Sequence, residues 1–159
     1  MDMKEQIGYS LSTAETIELL EQRGHGTLSL ANQNRAYGLP ISYGYDEAYD
    51  RIVMGFLSAD SSKKQRFITA TEEVSFSTYE FRDPTTWASV VVTGTLHRLP
   101  PEKVSSRVAA LFFGRADDAA GDARWMDDER FDKEWYEINI TTLSGRRGEN
   151  MPSEDGAHD

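Results

Sequence analysis

Ser12-Thr13-Ala14-Glu15 places a hydroxyl and a carboxylate three residues apart, the pattern of a capping box with Ser12 as N-cap. Ala14, Ile17 and Leu20 then mark one face of a helix, and Gly24 supplies its stop. From His25 the period changes. HGTLSLA predicts a short strand, and Asn32-Gln33-Asn34-Arg35 a polar turn into a second. That second strand, Ala36 to Tyr45, puts Tyr37, Leu39, Ile41, Tyr43 and Tyr45 on one face. Its other face is small: Ala36, Gly38, Pro40, Ser42 and Gly44. Such a face either lets a flat molecule approach the backbone or marks a tight barrel corner.

Asp46 to Arg51 reads as a turn, Ile52 to Leu57 as a buried strand, and Lys63 to about Ala70 as a helix. Val74 to Arg82 alternates Val74, Phe76 and Thr78 against Ser75, Ser77, Tyr79 and Phe81. Asp83-Pro84 breaks this strand, and Trp87 to Leu99 follows, with Val90, Val92 and Leu96 on one face and Gly94 permitting a bulge. Pro100-Pro101-Glu102 starts a helix with Val104, Val108, Leu111 and Phe112 at helical spacing. An Asp-rich stretch anchored by Trp125, Met126 and Phe131 leads to a last strand, Trp135 to Leu143. Six to seven strands broken by single helices predict a mainly β fold, an antiparallel barrel with helices at its ends. One domain spans residues 1–148, and the acidic tail 149–159 is expected to be disordered.

Charge narrows the partners. Seventeen basic against 27 acidic residues give a net charge of −10. No basic stripe interrupts the acidic surface, so nucleic acid is an unfavourable partner. An acidic surface of this kind also suits concentrated salt, where self-repulsion is screened. The absence of cysteine removes disulfides, thiolate nucleophiles and cysteine-ligated metals. His25, His97 and His158 have no ligand spacing, so no metal site is expected. With no apolar run of membrane length and no basic-then-apolar leader, the expectation is a cytoplasmic protein without a membrane partner.

Candidate chemistry concentrates in Phe56-Leu57-Ser58-Ala59-Asp60-Ser61-Ser62-Lys63-Lys64. A strand ends, a hydroxyl-rich turn follows, and two lysines enter the first turn of a helix. Lysine there opposes the helix dipole at about 0.3–1 kcal/mol. A bound anion would reverse that cost, since helix N–H groups, hydroxyls and ammonium groups would converge on one phosphate. Taken by itself, the segment reads more simply as a pair of solvated surface lysines. Trp87 and Ser89 offer a ring and a hydroxyl on one face of a strand, or simply a rim aromatic. No residue stands out as a catalytic acid or base.

The segments HGTLSLA, AYGLPISYGY, RIVMGFLSADSSKKQRF, VSFSTYEFRD and TWASVVVTGTLHRL follow one another in a set order. Over roughly residues 8–148 this order resembles the pyridoxamine 5′-phosphate oxidase-like family of flavin-binding split barrels. The resemblance implies a split-barrel homodimer with FMN in clefts between the subunits. It implies that Pro40, Ile41, Ser42 and Tyr43 lie along the flavin ring, and that Phe56, Leu57 and Ser58 line the cofactor. It assigns Lys63 and Lys64 to the flavin phosphate, and Trp87 and Ser89 to closure of the site.

Two departures qualify it. Ser62-Lys63-Lys64 stands where the family often has Gly-Arg-Lys, and the Arg-x-His element that holds pyridoxamine phosphate is absent from GRRGENMPSEDGAHD. The resemblance therefore implies an FMN-dependent oxidoreductase of unspecified substrate. A flavin or small-molecule binding module without turnover, and a deazaflavin-dependent reductase, are the alternatives. Tyr37, Tyr43, Tyr45, Tyr79 and Phe81 are more large side chains than one small core needs, which points independently to an interface.

Overall fold

A computed structural model describes residues 8–57, 62–104, 110 and 133–152. In chain order the elements are β1 (Tyr9–Ser10), α1 (Thr13–Gln22), β2 (His25–Asn32), β3 (Arg35–Asp46), β4 (Arg51–Leu57) and α2 (Ser62–Ala70). They continue with β5 (Val74–Asp83), β6 (Thr86–Leu99), a 3-10 turn (Pro101–Lys103) and β7 (Lys133–Arg147). The strands form one sheet in the order β1-β7-β4-β3-β2-β5-β6, and β6 also pairs with β7. That last pairing closes six strands into a ring, with β1 attached to the far end of β7. Every pairing is antiparallel. The ring is uneven: β6 and β7 pair over almost their whole length, whereas β2 and β5 share only Thr27–Ser29 against Ser77–Ser75. This is the antiparallel barrel expected from the pattern, in the split form that the resemblance implies.

Local chemistry explains the elements. In α1, Ser12 Oγ accepts from the Glu15 N–H at 3.1 Å, and Glu15 Oε1 accepts from the Ser12 N–H at 3.2 Å, as the capping box requires. The buried stripe is Thr16, Leu19 and Leu20, while Ala14 is exposed and Ile17 only half-buried. The helix is thus rotated from the expected Ala14–Ile17–Leu20 face. Thr16 can go inward because its hydroxyl donates to the Ser12 carbonyl at 2.7 Å and packs where Gly145 leaves no side chain. The helix ends in extended backbone at Arg23 (ψ 152°), not at a left-handed Gly24. The β2–β3 hairpin turns on Gln33 and Asn34, both at positive φ, as a two-residue hairpin loop needs.

The odd-numbered residues of β3 do face the barrel interior. Tyr43 is fully buried, its hydroxyl donating to the Leu20 carbonyl at 2.6 Å, and its ring packs edge-on against Phe76 at 4.7 Å. Leu28, Leu30, Ile52, Met54, Val90, Val92 and Ile138 complete the core. Gly26 sits against Phe76, and a Cβ there would also lie 2.6 Å from the Ser77 carbonyl. Gly26→Ala should cost about 1–3 kcal/mol, read as a lowered unfolding midpoint, because backbone cannot yield as a side chain can. An unchanged midpoint would contradict this packing.

At the β3–β4 turn, Asp46 is completely buried beneath Arg51, with Nε to Oδ2 at 3.0 Å, and Arg51 reaches Glu137 of β7 at 2.5 Å. Burial works against the Arg51 charge, but the hydrogen bonds to Glu137 and Asp46 outweigh it and hold the guanidinium protonated. The Tyr45 hydroxyl is raised above its ordinary range by burial and by its 2.7 Å bond to Asp50. This charged cluster ties three strands at one point.

Several boundaries differ from the pattern. β1 has no periodic signal at two residues, and β7 runs beyond the expected Trp135–Leu143 at both ends. After it, Asn150 bonds Thr85 through backbone at 2.8 Å and side chain at 3.0 Å. The helix expected from Pro100 starts as a 3-10 turn. Its Val108, Leu111 and Phe112, the stretch with Trp125, Met126 and Phe131, and the tail from residue 153 lie outside the described residues. No helix among the described residues is long and apolar enough to cross a membrane.

Candidate functional site

Where β3 leaves β4, the barrel has an opening. The β3–β4 ladder ends at Tyr43–Met54, whereas β2 stays paired with β3 down to Asn32–Arg35. The β3 segment through Pro40 and Ile41 and the end of β4 at Phe56 therefore border a gap. Pro40 lies at a position of β3 whose backbone points away from β2, since the Tyr43 N–H bonds the Gly24 carbonyl and directions alternate. A proline, with no N–H to lose, suits a strand edge that has lost its partner.

Helix α2 closes this end of the barrel. Phe67 packs on Tyr37 with ring centroids 5.1 Å apart, and Thr71 bonds both the N–H and the carbonyl of Ala31. The first turn of α2 carries Lys63 and Lys64, and each ammonium lies over an aromatic ring. Lys63 Nζ is 4.7 Å from the Tyr37 centroid on β3, and Lys64 Nζ is 5.3 Å from the Phe56 centroid on β4. The two strands that part thus each seat one lysine at a helix start, where the dipole disfavours a cation. Tyr37, Phe56, Lys63 and Lys64 come together at one opening, and Ile41 lies on the same inward face of β3 as Tyr37. Leu57 ends β4 beside them, and Ser58 lies outside the described residues.

The remaining predicted residues occupy the outer face of the sheet. Ser42 pairs with His25, Pro40 with Thr27, Thr27 with Ser77, Tyr79 with Ser89, and Phe81 with Trp87. Cross-strand partners project to the same side, so Pro40, Ser42, Trp87 and Ser89 rim one surface. Between them runs a groove of about 810 Å³ lined by Arg23, His25, Thr27, Ser77, Tyr79 and Phe81. It exists because β2 and β5 part beyond Thr27–Ser77. Side chains bridge the gap: Arg23 donates to the Tyr79 carbonyl at 3.0 Å, and the Thr78 hydroxyl to the His25 carbonyl at 2.8 Å. The Asp83 carboxylate, held below its ordinary range chiefly by the Thr85 N–H, shapes the turn that delivers Trp87.

Two expectations need correction. Tyr43 is buried in the core with its hydroxyl committed to Leu20, so its side chain does not reach the surface of β3. Of the aromatics expected at an interface, Tyr43 and Tyr45 are buried and Tyr37 is half-buried under α2. Only Tyr79 (68% exposed) and Phe81 (62% exposed) stand out from the sheet. His25 reads from the sequence as a strand-end histidine, and the β2–β3 register sets it opposite Ser42, with Nδ1 3.1 Å from Ser42 Oγ. Among the described residues no group of three or more potential metal ligands occurs.

Comparison with curated proteins found no match. Among solved structures, an FAD-binding protein from Mesorhizobium loti aligns at 24% identity and a TM-score of 0.65, covering 86% of this chain and 95% of that one. An FAD-binding protein from Mycobacterium smegmatis aligns at 18% identity and 0.61, covering 87% and 97%. A conserved hypothetical protein from Mycobacterium tuberculosis aligns at 18% identity and 0.70, covering 94% of each chain. These likenesses establish the shared fold. The family model described as pyridoxamine 5′-phosphate oxidase matches residues 12–147, which take in both the lysine-bearing opening and the outer groove. The chain belongs to the pyridoxamine 5′-phosphate oxidase family.

Proposed function

We propose that the protein binds a flavin, FMN in the first instance, and acts as a flavin-dependent oxidoreductase on a small molecule. The observation that carries this reading is the pair of ammonium groups, each seated on an aromatic ring, at the start of α2 beside the end of the β3–β4 ladder. The donor set fits the group: two cations and a helix start suit a phosphate, and the small face of β3 suits a flat ring. Lys63 and Lys64 would hold the phosphate. Pro40, Ile41 and Ser42 would lie along the ring, with Phe56, Leu57 and Ser58 beside it. When bound, the flavin supplies two-electron transfer, and the protein orients it and excludes water.

The M. loti and M. smegmatis proteins are described as FAD-binding, so the choice of nucleotide is itself part of the test. FMN, FAD and riboflavin are titrated in parallel. Preference for either nucleotide over riboflavin supports the phosphate role of the lysines, and preference for FAD over FMN corrects the cofactor. Reduction of the bound flavin by NADH or NADPH supports an oxidoreductase. Tight binding with no reduction by either nicotinamide favours a module without turnover.

We further propose that the working unit is a homodimer. The lysine-bearing opening and the Trp87–Ser89 pair lie on different parts of one chain. A second copy seated on the outer face would bring its own Trp87 and Ser89 toward the first copy's opening and cover Tyr79 and Phe81. Light scattering should give the dimer mass, and Phe81→Asp should shift it toward the monomer. Because each chain carries −10, the dimer should tighten as salt rises. A monomer mass at high salt with flavin still bound would remove the shared site.

A further inference from the structure

We infer that the outer groove between β2 and β5 is a binding site for a small monoanion, a carboxylate carried on a flat apolar body. Its role as the substrate site rests on the flavin reading above; the binding itself does not. The groove opens where the β2–β5 ladder stops, at Thr27–Ser77. The Tyr43 N–H bonds the Gly24 carbonyl on the β3 side of β2, so by alternation the backbone of His25 faces β5. Beyond the last pair, side chains take the carbonyls. The Thr78 hydroxyl donates to the His25 carbonyl at 2.8 Å, and Arg23 donates to the Tyr79 carbonyl at 3.0 Å. A strand residue turns its N–H to the same side as its carbonyl. His25 and Tyr79 therefore also turn an N–H toward the groove, and the ladder gives neither one a partner.

The gap thus satisfies its acceptors from within and leaves its donors facing the groove. The Arg23 guanidinium adds a positive charge to the same lining, and the Thr27 and Ser77 hydroxyls add further donors. Such a set selects an anion. Glu80 lies 3.8 Å from Arg23 and offsets part of its charge, which suits a carboxylate better than a doubly charged phosphate. Tyr79 and Phe81, both well exposed, line the groove beside these donors and offer flat apolar surface to the body of the ligand. The volume of about 810 Å³ is that of a small-molecule site. Pro40 and Ser42 are the cross-strand neighbours of Thr27 and His25. A flavin ring along Pro40–Ser42 would border this groove, which makes the bound carboxylate the substrate. In the homodimer proposed above, the second copy would lie over the groove and hold the ligand between the two chains.

The test titrates benzoate, its neutral isostere benzamide and inorganic phosphate into the flavin-free protein, read by calorimetry. Benzoate should bind about tenfold more tightly than benzamide, as expected for one charge-assisted hydrogen bond, and more tightly than phosphate. Arg23→Gln should remove the preference and leave benzamide nearly unchanged, while Arg23→Lys should restore part of it. No benzoate binding, equal affinity for benzoate and benzamide, tighter binding of phosphate, or a preference that survives Arg23→Gln would overturn the inference. The comparison of the three probes on the wild type decides the matter even if a variant fails to fold. Replacing Lys63 and Lys64 with alanine separates the two readings, since that variant should lose FMN and keep benzoate. If the wild type binds benzoate as expected but no flavin, the flavin reading fails and the groove keeps its ligand without the substrate role. With FMN bound, benzoate should shift the visible absorption of the flavin in the wild type and not in Arg23→Gln. Benzoate binding without that shift would remove the substrate role alone.

Discussion

Replacing Lys63 and Lys64 together with alanine should weaken FMN binding by about two to four orders of magnitude. Each charge-assisted hydrogen bond to a phosphate contributes about 1.5–3 kcal/mol, and the two ammonium groups stand at the same helix start. Riboflavin, which has the ring but no phosphate, should be nearly indifferent to the change. The fold should survive. Lys63 is exposed and Lys64 only half-buried, and neither belongs to the hydrophobic core. Calorimetric titration of both flavins on wild type and variant reads the difference directly. Equal losses for the two flavins would mean that the lysines act through the shape of α2.

Removing Arg51 should have the largest effect on stability, with Arg51→Leu costing about 3–5 kcal/mol. Asp46 has no exposed surface, and Arg51 bonds it at 3.0 Å while also reaching Glu137. Deleting Arg51 takes from the buried Asp46 the cation that offsets its desolvation, which costs far more than the intact pair contributes. A loss of that size is a large fraction of a typical domain's stability. Arg51→Lys should recover part of it, since an ammonium keeps the charge but cannot fork to two carboxylates. Urea unfolding of the three proteins provides the comparison. A change below about 1 kcal/mol for Arg51→Leu would place the cluster with ordinary surface ion pairs. The cluster sits where the β3–β4 ladder is intact, at Asp46–Arg51, opposite in direction from the opening. Its role is to keep the two strands joined at one end while they part at the other.

Much of the barrel was legible because the strands alternate cleanly. Along most of β3 and β5 the inward and outward residues follow the pattern, until the buried run Tyr43–Asp46 ends the alternation in β3, and the capping box at Ser12 marked the start of α1 to the residue. The rest depended on partners that a pattern does not carry. Tyr43 reads as a candidate surface aromatic until the Leu20 carbonyl is found to accept its hydroxyl, which makes a buried tyrosine affordable. Thr16 reads as polar until Gly145 is found across from it. β1 is two residues long and takes its identity from Arg146 and Arg147.

The site shows the same division. Two adjacent lysines at a helix start were visible as an electrostatic oddity, but not that Tyr37 and Phe56 would lie beneath them. Those rings come from strands separated by the whole β3–β4 hairpin, and only the end of its ladder brings them to one opening. The separation of Trp87 and Ser89 from that opening, and the groove that β2 and β5 leave when they part, are likewise properties of register and not of composition.

A chain that holds a flavin by its phosphate must distinguish FMN from riboflavin. Protein purified in concentrated salt is titrated with FMN and with riboflavin, following the visible absorption of the flavin and the heat of binding. Binding should saturate at one flavin per chain, with FMN clearly tighter than riboflavin. No binding of either flavin, or equal affinity for both, would contradict it.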